Sequence, residues 1–157
     1  MHDASDDRTL ADEENVMGND AKSGTAHGGF HHLTLNVQDI DRSEKWYGEV
    51  LGFEPAARYE NEAFARVILR HPDSGAVLGL NRHNAALAAE PFDERRAGLD
   101  HFALRAADHA ALVAWVDRFD EFGIPHSDIK SGSAPGSFLV TFRDPDGLQL
   151  EVFVPGA

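Results

Sequence analysis

The sequence predicts an α+β fold made of two copies of one βαβββ unit. Three observations carry that prediction. His32 and His101 open two alternating stretches, and Trp46 and Trp115 follow them at equal spacing. Pro72-Asp73-Ser74-Gly75 in the first half is answered by Pro145-Asp146-Gly147 in the second, both reading as tight turns. The hydrophobic period runs from two to helical and back to two in the same order in each half.

Residues 1–28 are polar, acidic and rich in Gly, Ser, Asn and Asp, with no sustained apolar period. They read as a disordered acidic tail that solubilises the chain. The folded domain is expected over 29–155, with modules 29–83 and 99–155. Phe30 to Val37 alternates, with His31, Leu33, Leu35 and Val37 on one face and His32, Thr34 and Asn36 on the other. A helix follows. Its N-terminus is expected in Asp41-Arg42-Ser43-Glu44, its stripe is Trp46, Tyr47, Val50 and Leu51, and Gly52 ends it. Strands are expected at 53–59, with Pro55 marking an edge, and at 63–70 and 76–83. Residues 84–98 contain Pro91 and Gly98 without a clean period and read as a linker. The second unit then starts with a strand at 99–106. Asp108 caps a helix with the stripe Leu112, Trp115, Val116, Phe119 and Phe122, and Gly123 stops it. Strands are expected at 124–130, 137–143 and 148–154.

Composition narrows the function. The chain of 157 residues carries a formal net charge of −13, which disfavours nucleic acid and anionic membranes as partners. No apolar run approaches the roughly 20 residues of a membrane span, and no secretory signal is visible. The absence of cysteine excludes disulfides and thiolate chemistry and fits a cytoplasmic protein.

Chemistry concentrates on the last strand. After the Pro-Asp-Gly turn, Leu148, Leu150, Val152 and Val154 form an apolar face. Glu151 falls mid-strand on the other face, where a carboxylate costs free energy unless a cation meets it. An edge-strand Glu facing water is the alternative that these residues leave open. The repeat supplies partners. His32 and His101 share one parity. The position matching Glu151 in the first module is Gly79, four residues past its turn glycine just as Glu151 is past its own. If both units curl around one cavity, His32, His101 and Glu151 make a two-imidazole, one-carboxylate ligand set for a divalent metal, with Fe, Mn, Ni, Co or Zn as candidates. Each histidine alone also reads as an ordinary core or rim residue; the repeat favours the metal. Gly79 would leave coordination sites for water or substrate. His83 shares the parity of Gly79 and Asn81 and is a candidate acid–base residue, or else a surface histidine at a strand end. His126 is a weaker candidate of the same kind. His31, offset by one residue, should point away. Arg66, Arg70, Arg105 and Arg143 are candidates for holding an anionic substrate, or else solvated strand edges.

The stretches HLTLNVQDIDRSEKWYGEVLGF (32–53), Leu99-Asp100-His101 and FRDPDGLQLE (142–151) resemble the vicinal oxygen chelate superfamily. That superfamily includes glyoxalase I, extradiol dioxygenases, methylmalonyl-CoA epimerase and bleomycin-resistance proteins. The resemblance spans about 29–155. It implies paired βαβββ modules forming an open barrel-like cavity around one divalent metal. His32, His101 and Glu151 then match metal positions, and the reaction passes through vicinal oxygens of a small-molecule substrate. Gly79 falls where glyoxalase I and the epimerase have a Glu or Gln ligand. Thr141 falls where the dioxygenase signature has Tyr. The resemblance therefore implies a glyoxalase-like lyase or isomerase. A dioxygenase and a non-catalytic, bleomycin-resistance-like binding protein are the alternatives, and a homodimer is the default assembly.

Overall fold

The computed structural model describes residues 29–84 and 92–156. The expected acidic tail lies outside the described residues, as do residues 85–91 of the expected linker. In chain order the elements are Leu33–Asn36 (β1), Ile40–Leu51 (α1), Glu54–Glu60 (β2), Phe64–Arg70 (β3), Val77–His83 (β4), His101–Arg105 (β5), His109–Glu121 (α2), Lys130–Ser131 (β6), Phe138–Arg143 (β7) and Gln149–Val154 (β8).

The repeat is visible in the topology. One four-stranded sheet has the order β1-β4-β3-β2 and the other β5-β8-β7-β6, so each module places its last strand beside its first. Those two pairs are parallel and the rest antiparallel. The two sheets do not close into one barrel. β2 lies at an edge, as Pro55 required, and its register shifts between Pro55 and Ala57. β8 lies between β5 and β7, so Glu151 is not on an edge strand.

Alternation decides the core. Leu35 and Val37, Ala65, Val67 and Leu69, Leu78 and Leu80 are buried on the face toward α1. Val140, Phe142, Leu150, Val152 and Val154 do the same in the second module. The opposite faces carry the polar residues. Helix α1 is capped two residues earlier than expected. Asp39, not Asp41, accepts hydrogen bonds from Asp41 N and Arg42 N. Gly52 closes the helix at φ 76°, a left-handed conformation in which glycine carries no Cβ penalty. Asp108 caps α2 by accepting from Ala111 N at 2.8 Å.

One expected strand does not form. Residues 124–130 hold a single bridge, His126 to Phe142, and then the two-residue β6. Pro125 removes a donor from this stretch, and the Ser127 hydroxyl takes the Thr141 amide, so the ladder is interrupted.

The modules are held together through the Pro-Asp-Gly turn. Tyr47 on α1 donates its hydroxyl to Asp144 Oδ2 at 3.0 Å. Arg42 reaches Asp146 at 2.5 Å, and Gln38 N donates to the same carboxylate. Trp46 stacks on Phe142, which also packs on Phe119 with ring centroids 4.4 Å apart. Arg118 of α2 donates to the carbonyls of Val50 and Glu49, where the last turn of α1 leaves acceptors unpaired.

Candidate metal centre

Glu151 sits mid-way along β8, opposite Ala103 in the register, and faces away from the core row of Leu150 and Val152. Its side chain is only 14% exposed. It makes no side-chain hydrogen bond among the described residues. Its charged neighbour is His101, whose Nε2 lies 3.6 Å from Glu151 Oε2. The other imidazole nitrogen, Nδ1, is 2.5 Å from Asp100 Oδ1. Asp100 is acceptor-only, so Nδ1 carries a proton and Nε2 is the atom free to bind a cation. A neutral His101 would therefore aim a lone pair at a carboxylate. The pair is comfortable only with a proton or a metal ion on Nε2. The hydrogen bond to Asp100 raises the His101 pKa; partial burial opposes this and the charge of Glu151 reinforces it.

That shift has a sign. A histidine whose folded pKa lies above its unfolded value contributes stability in full below the unfolded value, near pH 6.5. The contribution disappears as pH rises through the folded value. Metal-free wild type should exceed His101→Gln in stability at about pH 5.5, and the difference should shrink as pH rises through the folded value. Urea unfolding across that range measures the difference.

His32 stands on the first-module side. His31, His32 and His101 line one cavity of ≈ 540 Å³, together with Leu33, Phe53 and Phe102 among others. The His32 ring is turned toward its neighbour, with Nδ1 2.8 Å from His31 Nδ1. Among the described residues, no three His, Asp or Glu side chains stand close enough together to hold a metal ion. The structure thus brings His101 and Glu151 together and leaves His32 at the same cavity with its ring on His31. The expectation that His31 points away is corrected. β1 begins only at Leu33, so strand alternation does not govern residues 31 and 32.

Gly79 is not an open position. It pairs with Thr34, and a Cβ built on it would meet Thr34 Oγ1 at 2.7 Å and Thr34 Cβ at 3.3 Å. The register-equivalent pair in the second module is Ala103 with Glu151. One module therefore sets a large residue on the last strand against a small one on the first, and the other module reverses the choice. Gly79→Ala should destabilise the fold by roughly 1–3 kcal/mol through overpacking. Adding Thr34→Ala should recover most of that loss, which a double-mutant cycle by urea unfolding measures.

His83 lies at the far end of β4, on the face of Gly79 and Asn81, four residues from Gly79 and so roughly 13 Å along the strand. Its Nε2 is 2.8 Å from Asn81 Nδ2. Asn81 Oδ1 in turn accepts from Arg66 Nε at 3.1 Å. His126 is elsewhere. It lies against Phe119, with Nδ1 on the Ser127 carbonyl and Nε2 on Asp120, and ties the irregular segment to the end of α2. Arg143 is committed to Glu94 and the Gly147 carbonyl.

The family model described as the Glyoxalase/Bleomycin resistance protein/Dioxygenase superfamily matches residues 29–152. The chain belongs to this superfamily. Its fold is shared by a glyoxylase/bleomycin resistance protein/dioxygenase domain from Frankia sp. EAN1pec, at 26% identity and a TM-score of 0.74, over 82% of this chain and 98% of that one. Lactoylglutathione lyase from Agrobacterium tumefaciens aligns at 23% identity and a TM-score of 0.60, over 80% of this chain and 93% of that one. The fosfomycin resistance protein FosX from Listeria monocytogenes, complexed with Mn(II) and sulfate, aligns at 15% identity and a TM-score of 0.60, over 83% and 94%. No curated protein matches the sequence.

Members of the superfamily commonly bind a divalent metal. The chemistry of the donors in this member fits such an ion: an imidazole whose distal nitrogen is held by a carboxylate, facing a carboxylate that has no other partner among the described residues. Two contributors escaped the reading of the sequence. Asp100 was visible only as the residue before His101. Thr34 became relevant only once the β1–β4 register set it against Gly79.

Proposed function

We propose that this superfamily member is a divalent-metal-dependent, glyoxalase-like lyase or isomerase acting on a small molecule with two adjacent oxygens. His32, His101 and Glu151 would hold the ion. The observation that carries the reading is the Nε2 of His101 facing Glu151 at 3.6 Å while Asp100 fixes its other nitrogen. When bound, the cation would polarise the substrate's oxygens as a Lewis acid. Asp100 keeps His101 in the ligating tautomer. Glu151 is the carboxylate nearest the reacting atoms and the residue assigned to bind and exchange protons there. Thr34 places a hydroxyl where the module symmetry would otherwise put a second carboxylate, offering a hydrogen bond to substrate or water. His83 transfers a proton only to a substrate that extends along β4 as far as Asn81.

His32 must turn from His31 toward the cavity on loading. It precedes β1 and its ring is exposed, so a rotamer change costs little packing. The proposal includes a cytoplasmic homodimer. β2 is a poor seam for it, because Pro55 and the register shift interrupt the edge. The bleomycin-resistance-like alternative gives no reason for a half-buried Glu151 facing His101.

Elemental analysis of tag-free protein tests the reading. About one equivalent of Fe, Mn, Ni, Co or Zn, lost in His101→Ala, is expected. No metal in either protein, and none taken up on incubation, would leave a ligand-binding module.

A further inference from the structure

Arg66 is placed unlike the other fixed arginines of this acidic chain. Arg42, Arg58, Arg95 and Arg143 each meet a carboxylate, and Arg118 meets two carbonyls. Arg66 is half-buried and meets no carboxylate among the described residues. It is nonetheless held on two sides. Its guanidinium carbon lies 4.8 Å from the centroid of the Phe64 ring, and its Nε donates to Asn81 Oδ1 at 3.1 Å. Asn81 is a buried polar residue, 2% exposed, at the centre of the sheet. Its carbonyl serves Arg66, and its amide serves His83 Nε2 at 2.8 Å and Asn36 Oδ1 at 3.5 Å. Burying an amide is costly unless its bonds are made, and here they fix a guanidinium in place. Four of the five guanidinium N–H groups then have no partner among the described residues. Tyr59 lies beside Arg66 in the β2–β3 register and is 57% exposed, and His83 flanks the other end of the row.

We propose that Arg66, oriented by Asn81 and Phe64, is a carboxylate-binding subsite on the same sheet face as Gly79, with Tyr59 and His83 as flanking donors. The substrate is then an organic monocarboxylate whose reactive oxygens lie toward the Thr34–Gly79 row. The guanidinium fork is planar and matches an anion edge with two parallel hydrogen bonds. Charge favours a carboxylate over a phosphate: among the described residues Arg66 is the sole cation fixed in this row, inside a chain of net charge −13, so it offsets one negative charge rather than two. The proposal rests on the metal-centre reading for where the reaction occurs, but not for whether the anion binds.

The test uses full-length, metal-free protein with benzoate as the probe and benzamide as its neutral counterpart. Nitrogen-correlated NMR follows the Arg66 Nε–H and the Asn81 side-chain amide. Benzoate should move both signals saturably and benzamide should not. Arg66→Gln should abolish the response. Arg66→Lys, which retains charge without the fork, should weaken it by about tenfold or more, and it decides the matter if Arg66→Gln does not fold. His101→Ala should bind benzoate as wild type does. Benzoate leaving these signals unmoved, benzamide moving them equally, or Arg66→Lys binding at full affinity would overturn the proposal. Benzoate binding in a protein that takes up no metal would overturn the metal centre alone.

Discussion

Glu151→Gln is expected to lower divalent-metal affinity by at least on the order of 100-fold while making the metal-free protein more stable. Both directions follow from one contact. With metal bound, the carboxylate would supply charge and a ligand oxygen, and an amide would supply neither at comparable strength. Without metal, Glu151 is 14% exposed, mid-strand, and faces a histidine nitrogen at 3.6 Å with no hydrogen bond of its own among the described residues. An amide of the same shape can donate an N–H to that nitrogen. The gain should be about 1 kcal/mol at a pH where His101 is neutral. It should shrink at acid pH, where protonated His101 is stabilised by the Glu151 charge. Metal titration calorimetry and urea unfolding at two pH values measure the two halves. A residue retained for packing alone would show neither the affinity loss nor the stability gain.

Asp144→Ala should carry the largest stability cost in the chain. Asp144 is 7% exposed and accepts three hydrogen bonds: from the Tyr47 hydroxyl at 3.0 Å, from Asp146 N at 2.9 Å and from Leu148 N at 2.8 Å. Alanine strands a buried phenol and two turn amides. The expected loss is about 3–4 kcal/mol, a large share of the 5–15 kcal/mol that holds a domain of this size. Asp144→Asn should behave differently. Burial raises the Asp144 pKa, opposed by its hydrogen bonds from Leu148, Tyr47 and Asp146. A carboxyl whose folded pKa is raised contributes stability below its unfolded value and loses it as pH rises through the folded one. At neutral pH the charge is thus a net cost. Asparagine removes it and keeps an oxygen for the turn amides, so it should stay within about 1 kcal/mol of wild type. Urea midpoints of the two variants at pH 7 decide between a hydrogen-bonding role and a charge role.

The fold was legible because the same signals occur twice. A strand whose Leu150, Val152 and Val154 alternate with Gln149, Glu151 and Phe153 can present only one of those sets to a core. Stretches ending in Gly52 and Gly123 can hardly continue as helix. Segment 124–130 was misread because the repeat calls for a strand between α2 and 137–143, while Pro125 and the Ser127 hydroxyl break the ladder. The cap of α1 was misplaced because Asp39 and Asp41 both suit that role, and only backbone geometry separates them. In the site, the repeat pointed to His101 and Glu151 facing one cavity, and the two side chains lie 3.6 Å apart. The orientation of His32 was not, because it precedes β1. Thr34 and Arg66 depend on cross-strand neighbours that a single strand's pattern does not contain.

X-ray absorption at the metal edge of reconstituted protein tests the three-ligand centre most directly, because it counts imidazoles around the ion. Two imidazoles with oxygen ligands, falling to one in both His32→Ala and His101→Ala, is the expected result. A single imidazole that His32→Ala leaves unchanged would remove His32 from the site, and with it the centre proposed between the two modules.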